Sequence, residues 1–184
     1  RLTSEFIKGP GERKNRFKPD TLIKSGSAQL IDYKGSGFDR GHLCPAGNMK
    51  INQLAMDESF YMSNMSPQLP GFNRGKWRQL EGQVRKWLEQ EDTLHVVTGP
   101  ILSDSLGSIG VNKVTIPAYY YKVIYDPTEE KKMIAFIMPN KKIKNDIFHF
   151  IVTVDEVEKR TGIDFFSGLD DLLEKRLEGG LSTW

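Results

Sequence analysis

Phe38-Asp39-Arg40-Gly41-His42-Leu43-Cys44-Pro45-Ala46-Gly47-Asn48 is the stretch from which the rest of the 184-residue chain can be read. It sets a carboxylate, a guanidinium and an imidazole within four consecutive positions. Histidine suits proton transfer near neutral pH. Arginine offers a rigid fork of donors matched to phosphate oxygens. Asp39 can accept a hydrogen bond and fix an orientation. Gly41 and Gly47 let the backbone turn or approach a ligand closely. A tetrapeptide of this kind also arises in ordinary polar loops, so its weight depends on the residues downstream.

The second block is Tyr61-Met62-Ser63-Asn64-Met65-Ser66-Pro67-Gln68, then Phe72-Asn73-Arg74-Gly75-Lys76-Trp77-Arg78-Gln79-Leu80-Glu81, with Arg85 one turn later. Trp77, Leu80, Val84, Trp87 and Leu88 recur at helical spacing and predict an amphipathic helix over residues 73–90. If Asn73 opens that helix, successive steps of four residues place Asn73, Glu81 and Arg85 along one flank of a single rod. A neutral amide oxygen and a carboxylate so placed suit Mg²⁺, which keeps several waters and needs few protein contacts.

Composition sets the bounds. The length suits one domain with a sizeable core. The residues are 38% hydrophobic and 27% charged, as in a globular protein. No apolar run approaches the roughly 18 residues of a membrane span, and no amino-terminal signal pattern is present. The first residue is Arg1 rather than Met, which leaves a removed leader, anchor or tag open. Net charge is only +2, too little to argue for nucleic acid by itself. The cations do cluster, at Lys8, Arg13, Lys14, Arg16 and Lys18 and again at Lys76, Arg78, Arg85 and Lys86. Cys44 is the only cysteine, so no intramolecular disulfide can form, and zinc sites built on several cysteines are excluded.

Along the chain, residues 1–35 read as a polar lead-in with a hint of strand near Leu22, Ile23, Leu30 and Ile31. A short helix capped by Asn52 is expected before Phe60, and a strand over residues 60–63. Residues 64–71, broken by Pro67 and Pro70, read as a loop. Strands are expected at residues 93–98, ended by Gly99-Pro100, at 114–125 and at 133–138. A loop is expected over 103–112 and a turn over 126–129. Helices are expected over 155–161, ended by Gly162, and over 169–177. Strands and helices mix without βαβ alternation, which predicts an α+β fold.

The two blocks, in this order, resemble the DNA/RNA non-specific endonuclease family, of which endonuclease G is a member. The likeness extends through Val97-Thr98-Gly99-Pro100, Ile116-Pro117 and Met138-Pro139-Asn140. The resemblance implies one nuclease domain over residues 1–184, with a ββα-metal site and a mainly antiparallel central sheet flanked by helices. It implies metal-dependent hydrolysis of phosphodiester bonds in DNA and RNA. His42 would be the general base. Asn73 would be the direct ligand of a hydrated Mg²⁺, with Mn²⁺ or another divalent ion as a substitute, and Glu81 would hold that ion through a water. Asn64 would support the geometry. Arg40 and Arg85 would engage phosphate, and Asp39 would be structural. A further upstream arginine is implied; Arg16 is the candidate, with Arg13 also fitting. The likeness leaves a homodimer open. It implies a secreted or periplasmic setting in a bacterium and a mitochondrial one in a eukaryote.

Two other readings compete. A nuclease-like module could grip nucleic acid or a protein without cutting. Cys44, two residues past His42, could form a Cys–His pair, although Pro45 and the missing third group favour a packing role for the thiol. His95 and His149 lie in apolar runs and read as structural. Tyr119, Tyr120 and Tyr121 read as a sheet face against the core rather than a base-stacking platform. Glu129-Glu130 and Asp170-Asp171 read as solvated turns and helix starts.

Overall fold

The alternation of residues along two central strands explains the layout. The computed structural model describes residues 1–128, 130–182 and 184. In chain order its elements are β1 (Leu2–Thr3), α1 (Ser4–Lys8), α2 (Leu30–Tyr33), β2 (Asp39–His42), α3 (Gln53–Glu58) and β3 (Met65–Gln68). A wide helical turn (Phe72–Trp77) then leads into α4 (Arg78–Glu91). After it come β4 (Thr93–Ile109), β5 (Val114–Asp126), β6 (Lys132–Pro139), β7 (Ile151–Val152), α5 (Val154–Thr161) and α6 (Asp171–Glu178). Strands β1, β4, β5, β6 and β7 form one sheet in that order, with every pairing antiparallel, and β2 and β3 form a separate two-stranded ribbon.

Successive side chains of a strand point to opposite faces. On one face of the sheet, Tyr120, Ile124, Ile134, Phe136 and Met138 pack against Phe72, Trp77, Leu80, Val84 and Leu88 from the wide turn and α4. On the other, Tyr121, Val123, Tyr125, Met133, Ala135 and Ile137 pack against Val154, Val157, Phe165 and Leu177 around α5 and α6. The helical spacing read around Trp77 is therefore a core stripe. Trp77 is fully buried between Phe72 and Tyr120, with ring centroids 5.2 and 5.8 Å away. Truncating it would cost about 3–5 kcal/mol.

Several sequence expectations needed correction. The predicted strand at 60–63 is a tight turn over Met62–Asn64, and the strand begins one residue later, at Met65. Pro67 lies inside it, opposite Arg40. A two-stranded ribbon has only edge strands, where the missing N–H of proline is tolerated. Its carbonyl accepts from Tyr120 Oη at 2.9 Å and Asn140 Nδ2 at 3.0 Å. Likewise Gly99-Pro100 does not end β4, which runs on to Ile109 through two register shifts. Beyond Leu94 no described strand pairs on that side of β4, so Pro100 also sits on an edge. The lead-in is not structureless: Leu2 is buried in the sheet-edge pairing with Leu94, and residues 30–33 form a helical turn rather than a strand. His149 lies exposed on a short helical turn, not in an apolar strand. Tyr120 and Tyr121 are buried core residues, as read from the sequence. Asp170 caps α6, and Glu129 lies outside the described residues.

Candidate active site

The ribbon β2–β3 and the helix α4 build one side of a cleft of about 510 Å³. Gly41 brings the strands close enough that a methyl group there would overlap the Gln68 side chain. The chain leaves β3 through Leu69 and enters the wide turn, whose Gly75 departs from helical geometry with φ −100° and ψ −117°. The expectation of one continuous rod from Asn73 to Arg85 is thus corrected: Asn73 belongs to the wide turn, and only Glu81 and Arg85 belong to α4. The break repositions Asn73 without removing it from the group. His42, Arg40, Asn73, Glu81 and Arg85 all line the same cleft.

Asn73 is oriented by Asp39. Its Nδ2 donates to Asp39 Oδ2 at 2.9 Å, and Arg74 grips both oxygens of the same carboxylate at 2.6 and 2.8 Å. Asn73 lines the cleft, and its amide oxygen accepts none of the hydrogen bonds found among the described residues. Together with these donors, the presence of Arg40 holds the Asp39 carboxyl below its ordinary range despite partial burial. Asp39 therefore stays ionised and the amide stays locked.

His42 packs edge-on against Phe60, ring centroids 4.9 Å apart, and near Phe17 at 5.9 Å. Its Nε2 is buried and has no hydrogen-bond partner. Burial first, and the charge of Arg13 second, push the imidazole from its usual range to about 4. It is accordingly neutral at physiological pH, the form that can accept a proton. Glu81 is raised by burial and pulled back by the cations of Lys122, Arg85, Arg13 and Arg78.

Arg13, Arg40, Arg74, Arg78 and Arg85 meet only Asp39 and Glu81 as acids in the cleft. Arg74 is committed to Asp39, which leaves four guanidinium groups for an anionic ligand. Arg40 stacks on Phe17 at 4.2 Å, and Arg85 donates to Asn48 Oδ1 at 3.1 Å. Of the two upstream candidates, Arg13 lines the cleft and Arg16 does not. The reason is local. Asn15 takes a left-handed φ of 48° and accepts from Arg13 Nε, while Phe17 turns inward among His42 and Phe60.

Asn64 stands behind the cleft rather than in it. Its side chain bonds both backbone polar groups of Cys44 at 2.9 Å and the Ser59 carbonyl at 2.8 Å. It clamps the segment just past His42. Cys44 is half-buried and its thiol is pushed up by burial, so it is not a thiolate. Arg78 was read only as one of a cluster of cations, whereas the buried Lys122 was not singled out and looked like any strand lysine.

Among the described residues the cleft offers the Asn73 amide and two carboxylates, Glu81 and the Asp39 already bonded to Arg74, with His42 the one imidazole and no thiol. Such an oxygen-rich set fits a hydrated hard cation.

The sequence pattern of the DNA/RNA non-specific endonuclease family matches residues 1–172. Nuclease C1 of Cunninghamella echinulata var. echinulata is 41% identical, the alignment covering 92% of this chain and 74% of that protein. The mitochondrial endonuclease G of Caenorhabditis elegans is 39% identical, covering 92% and 61%. The mitochondrial nuclease EXOG of Mus musculus is 36% identical, covering 92% and 51%. The chain thus spans between half and three quarters of these relatives. The crystal structure of an EndoG/EndoGI complex matches with a TM-score of 0.83 at 35% identity, over 92% of this chain and 77% of that one. The α+β architecture, with its β2–β3–α4 unit, is the ββα-metal nuclease fold. With cleft, fold and sequence pattern in agreement, the chain belongs to the DNA/RNA non-specific endonuclease family.

Proposed function

We propose that this chain, acting as one domain over residues 1–184, is a metal-dependent endonuclease that hydrolyses phosphodiester bonds in DNA and RNA alike. One observation carries the reading. A neutral histidine lines the same cleft as an amide oriented by Asp39 and four arginines that make none of the ion pairs found among the described residues. In the proposed reaction His42 takes the proton from the attacking water. Arg13, Arg40 and Arg85 neutralise the phosphate as charge develops on its oxygens. Asn73 would hold a divalent ion, Mg²⁺ or a substitute such as Mn²⁺, with Glu81 reaching it through a water. Once bound, that ion would supply Lewis-acid stabilisation of the phosphoryl oxygens. Asn64 keeps His42 in place through Cys44. Contacts directed at phosphate read no base sequence, which supports the lack of sequence preference. The mitochondrial designation of several relatives supports that setting for a eukaryotic source.

Supercoiled plasmid and a structured RNA, each incubated with Mg²⁺ or with a chelator, test the proposal. Nicking of both that stops with the chelator is expected. Tight binding without cutting in Mg²⁺ would leave only a binding module.

A further inference from the structure

The face of the sheet opposite the cleft carries a second group of acids. Asp155 and Glu158 sit one turn apart on α5, and Glu178 ends α6. One carboxylate oxygen from each lies within 4.8 Å of the others. Asp155 is exposed, Glu158 half-buried and Glu178 buried, only 5% accessible. Glu178 Oε1 is buried with no hydrogen-bond partner, and so is Glu174 Oε1 one turn earlier. A methyl group placed on Gly179, just past α6, would lie 3.4 Å from Asp155 Oδ2, so this carboxylate reaches the end of that helix. Of the group, Glu158 Oε1 accepts from the Phe165 backbone N–H at 2.7 Å.

Three forces oppose this arrangement in the absence of a cation. Like charges one turn apart on a helix repel, as Glu174 and Glu178 do. A carboxylate at a helix C-terminus faces the negative end of the dipole. A buried, unpartnered carboxylate pays desolvation as well. None of the ion pairs found among the described residues reaches these groups, and Arg160 on α5 turns away to Asp104 at 2.7 Å and to the Tyr119 ring.

We propose that Asp155, Glu158 and Glu178 form a calcium site that ties α6 to α5, separate from the metal of the cleft. Calcium takes about six to eight oxygen ligands in flexible geometry, so carboxylates brought together by the packing of two helices can share one ion. Magnesium demands near-ideal octahedral geometry and gives up its waters reluctantly, which suits such a group less well. Water at the exposed Asp155 edge completes the coordination. Glu178 lies beyond residue 172, where the family pattern ends, so membership of the family does not imply this site.

The test uses the full chain with Mg²⁺ in excess throughout, so that the cleft is saturated. Equilibrium dialysis with radioactive calcium should give one bound Ca²⁺ per chain, absent in Glu178→Gln and at least tenfold weaker in Asp155→Asn. Calcium at a hundredfold excess over its Kd should raise the Tm of the parent by about 5–10 °C and leave that of Glu178→Gln unchanged. If Glu178→Gln does not fold, the exposed Asp155→Asn alone decides the matter. No calcium-dependent rise in the parent, or an equal rise in the variants, would overturn the proposal. A variant that melts above a calcium-insensitive parent would show that a proton, not a metal, relieves the repulsion, and would overturn it too.

Discussion

Asn73 and Asp39 are joined by one 2.9 Å hydrogen bond in which the amide donates and the carboxylate accepts. The bond decides which end of the amide is available to a cation. An asparagine free to flip would present its NH₂ half of the time. Replacing Asp39 by Asn should therefore weaken metal use while leaving His42 untouched. The Mg²⁺ concentration for half-maximal cleavage is expected to rise about 10–100-fold, the usual cost of losing a partner that orients a metal ligand. Unchanged Mg²⁺ dependence would show that Asp39 serves only Arg74.

The relationship also marks how far the sequence could be read. Asp39, His42, Asn73 and Glu81 were legible because their chemistry is local and their order along the chain is specific. The strand at Met65–Gln68 was hidden by Pro67, since only the ribbon's lack of a further strand makes a proline acceptable there. The course of α4 was legible from Trp77 onward but not before it, because Gly75 breaks the phase. Arg13 and Arg16 could not be separated, because the choice rests on the backbone turn at Asn15. Lys122 gave no signal, because its burial depends on Trp77, Glu81 and Thr98 arriving from distant parts of the chain.

His42→Ala should reduce the rate about 10²–10⁴-fold with metal binding retained, as expected for loss of a general base. The parent should show no decline in kcat/KM near pH 6.5, where a free histidine titrates, since the folded imidazole stays neutral down to about 4. The same shift bears on stability. The fold resists protonation of His42, so its contribution is complete above pH 6.5 and is lost as pH falls from 6.5 through about 4. The loss is on the order of 2–3 kcal/mol. Urea unfolding of parent and His42→Gln at about pH 7 and about pH 4.5 should show their difference moving in favour of the variant at the lower pH. A constant difference would mean that the imidazole is not desolvated.

Gly41 pairs with Ser66 across the ribbon, and the fully buried side chain of Gln68, two residues further along β3, occupies the space that a methyl group on Gly41 would need. Gly41→Ala is expected to cost about 1–3 kcal/mol through overpacking and to shift both Arg40 and His42. Gln68→Ala opens the space that the new methyl needs. The double variant should recover part of the stability and rate lost in Gly41→Ala, a coupling that a double-mutant cycle reads directly. Additive losses would place the strain elsewhere.

Lys122 places a charge in the core. It lies on the α4 face of β5, fully buried, with its Nζ donating to Thr98 Oγ1 at 2.5 Å and 4.9 Å from the Trp77 ring. Burial pulls its pKa down to about 8, against the attraction of Glu81. A lysine so lowered destabilises the fold whenever it is protonated, and stability falls as pH drops from 10.5 through about 8. Methionine has similar length and no charge. Lys122→Met removes that penalty but leaves Glu81 buried without its largest compensating charge, so the variant should keep its melting temperature only where Glu81 is protonated, and lose stability as pH rises. Activity should respond as well. Lys122 is the largest influence holding the buried Glu81 carboxyl down. Without it Glu81 takes up a proton more readily, and the acid limb of kcat/KM should move to higher pH. A melting temperature that drops by several degrees at every pH, with an unmoved pH profile of activity, would make Lys122 a packing residue. A preserved fold with a displaced limb would show that the charge is kept for its effect on Glu81.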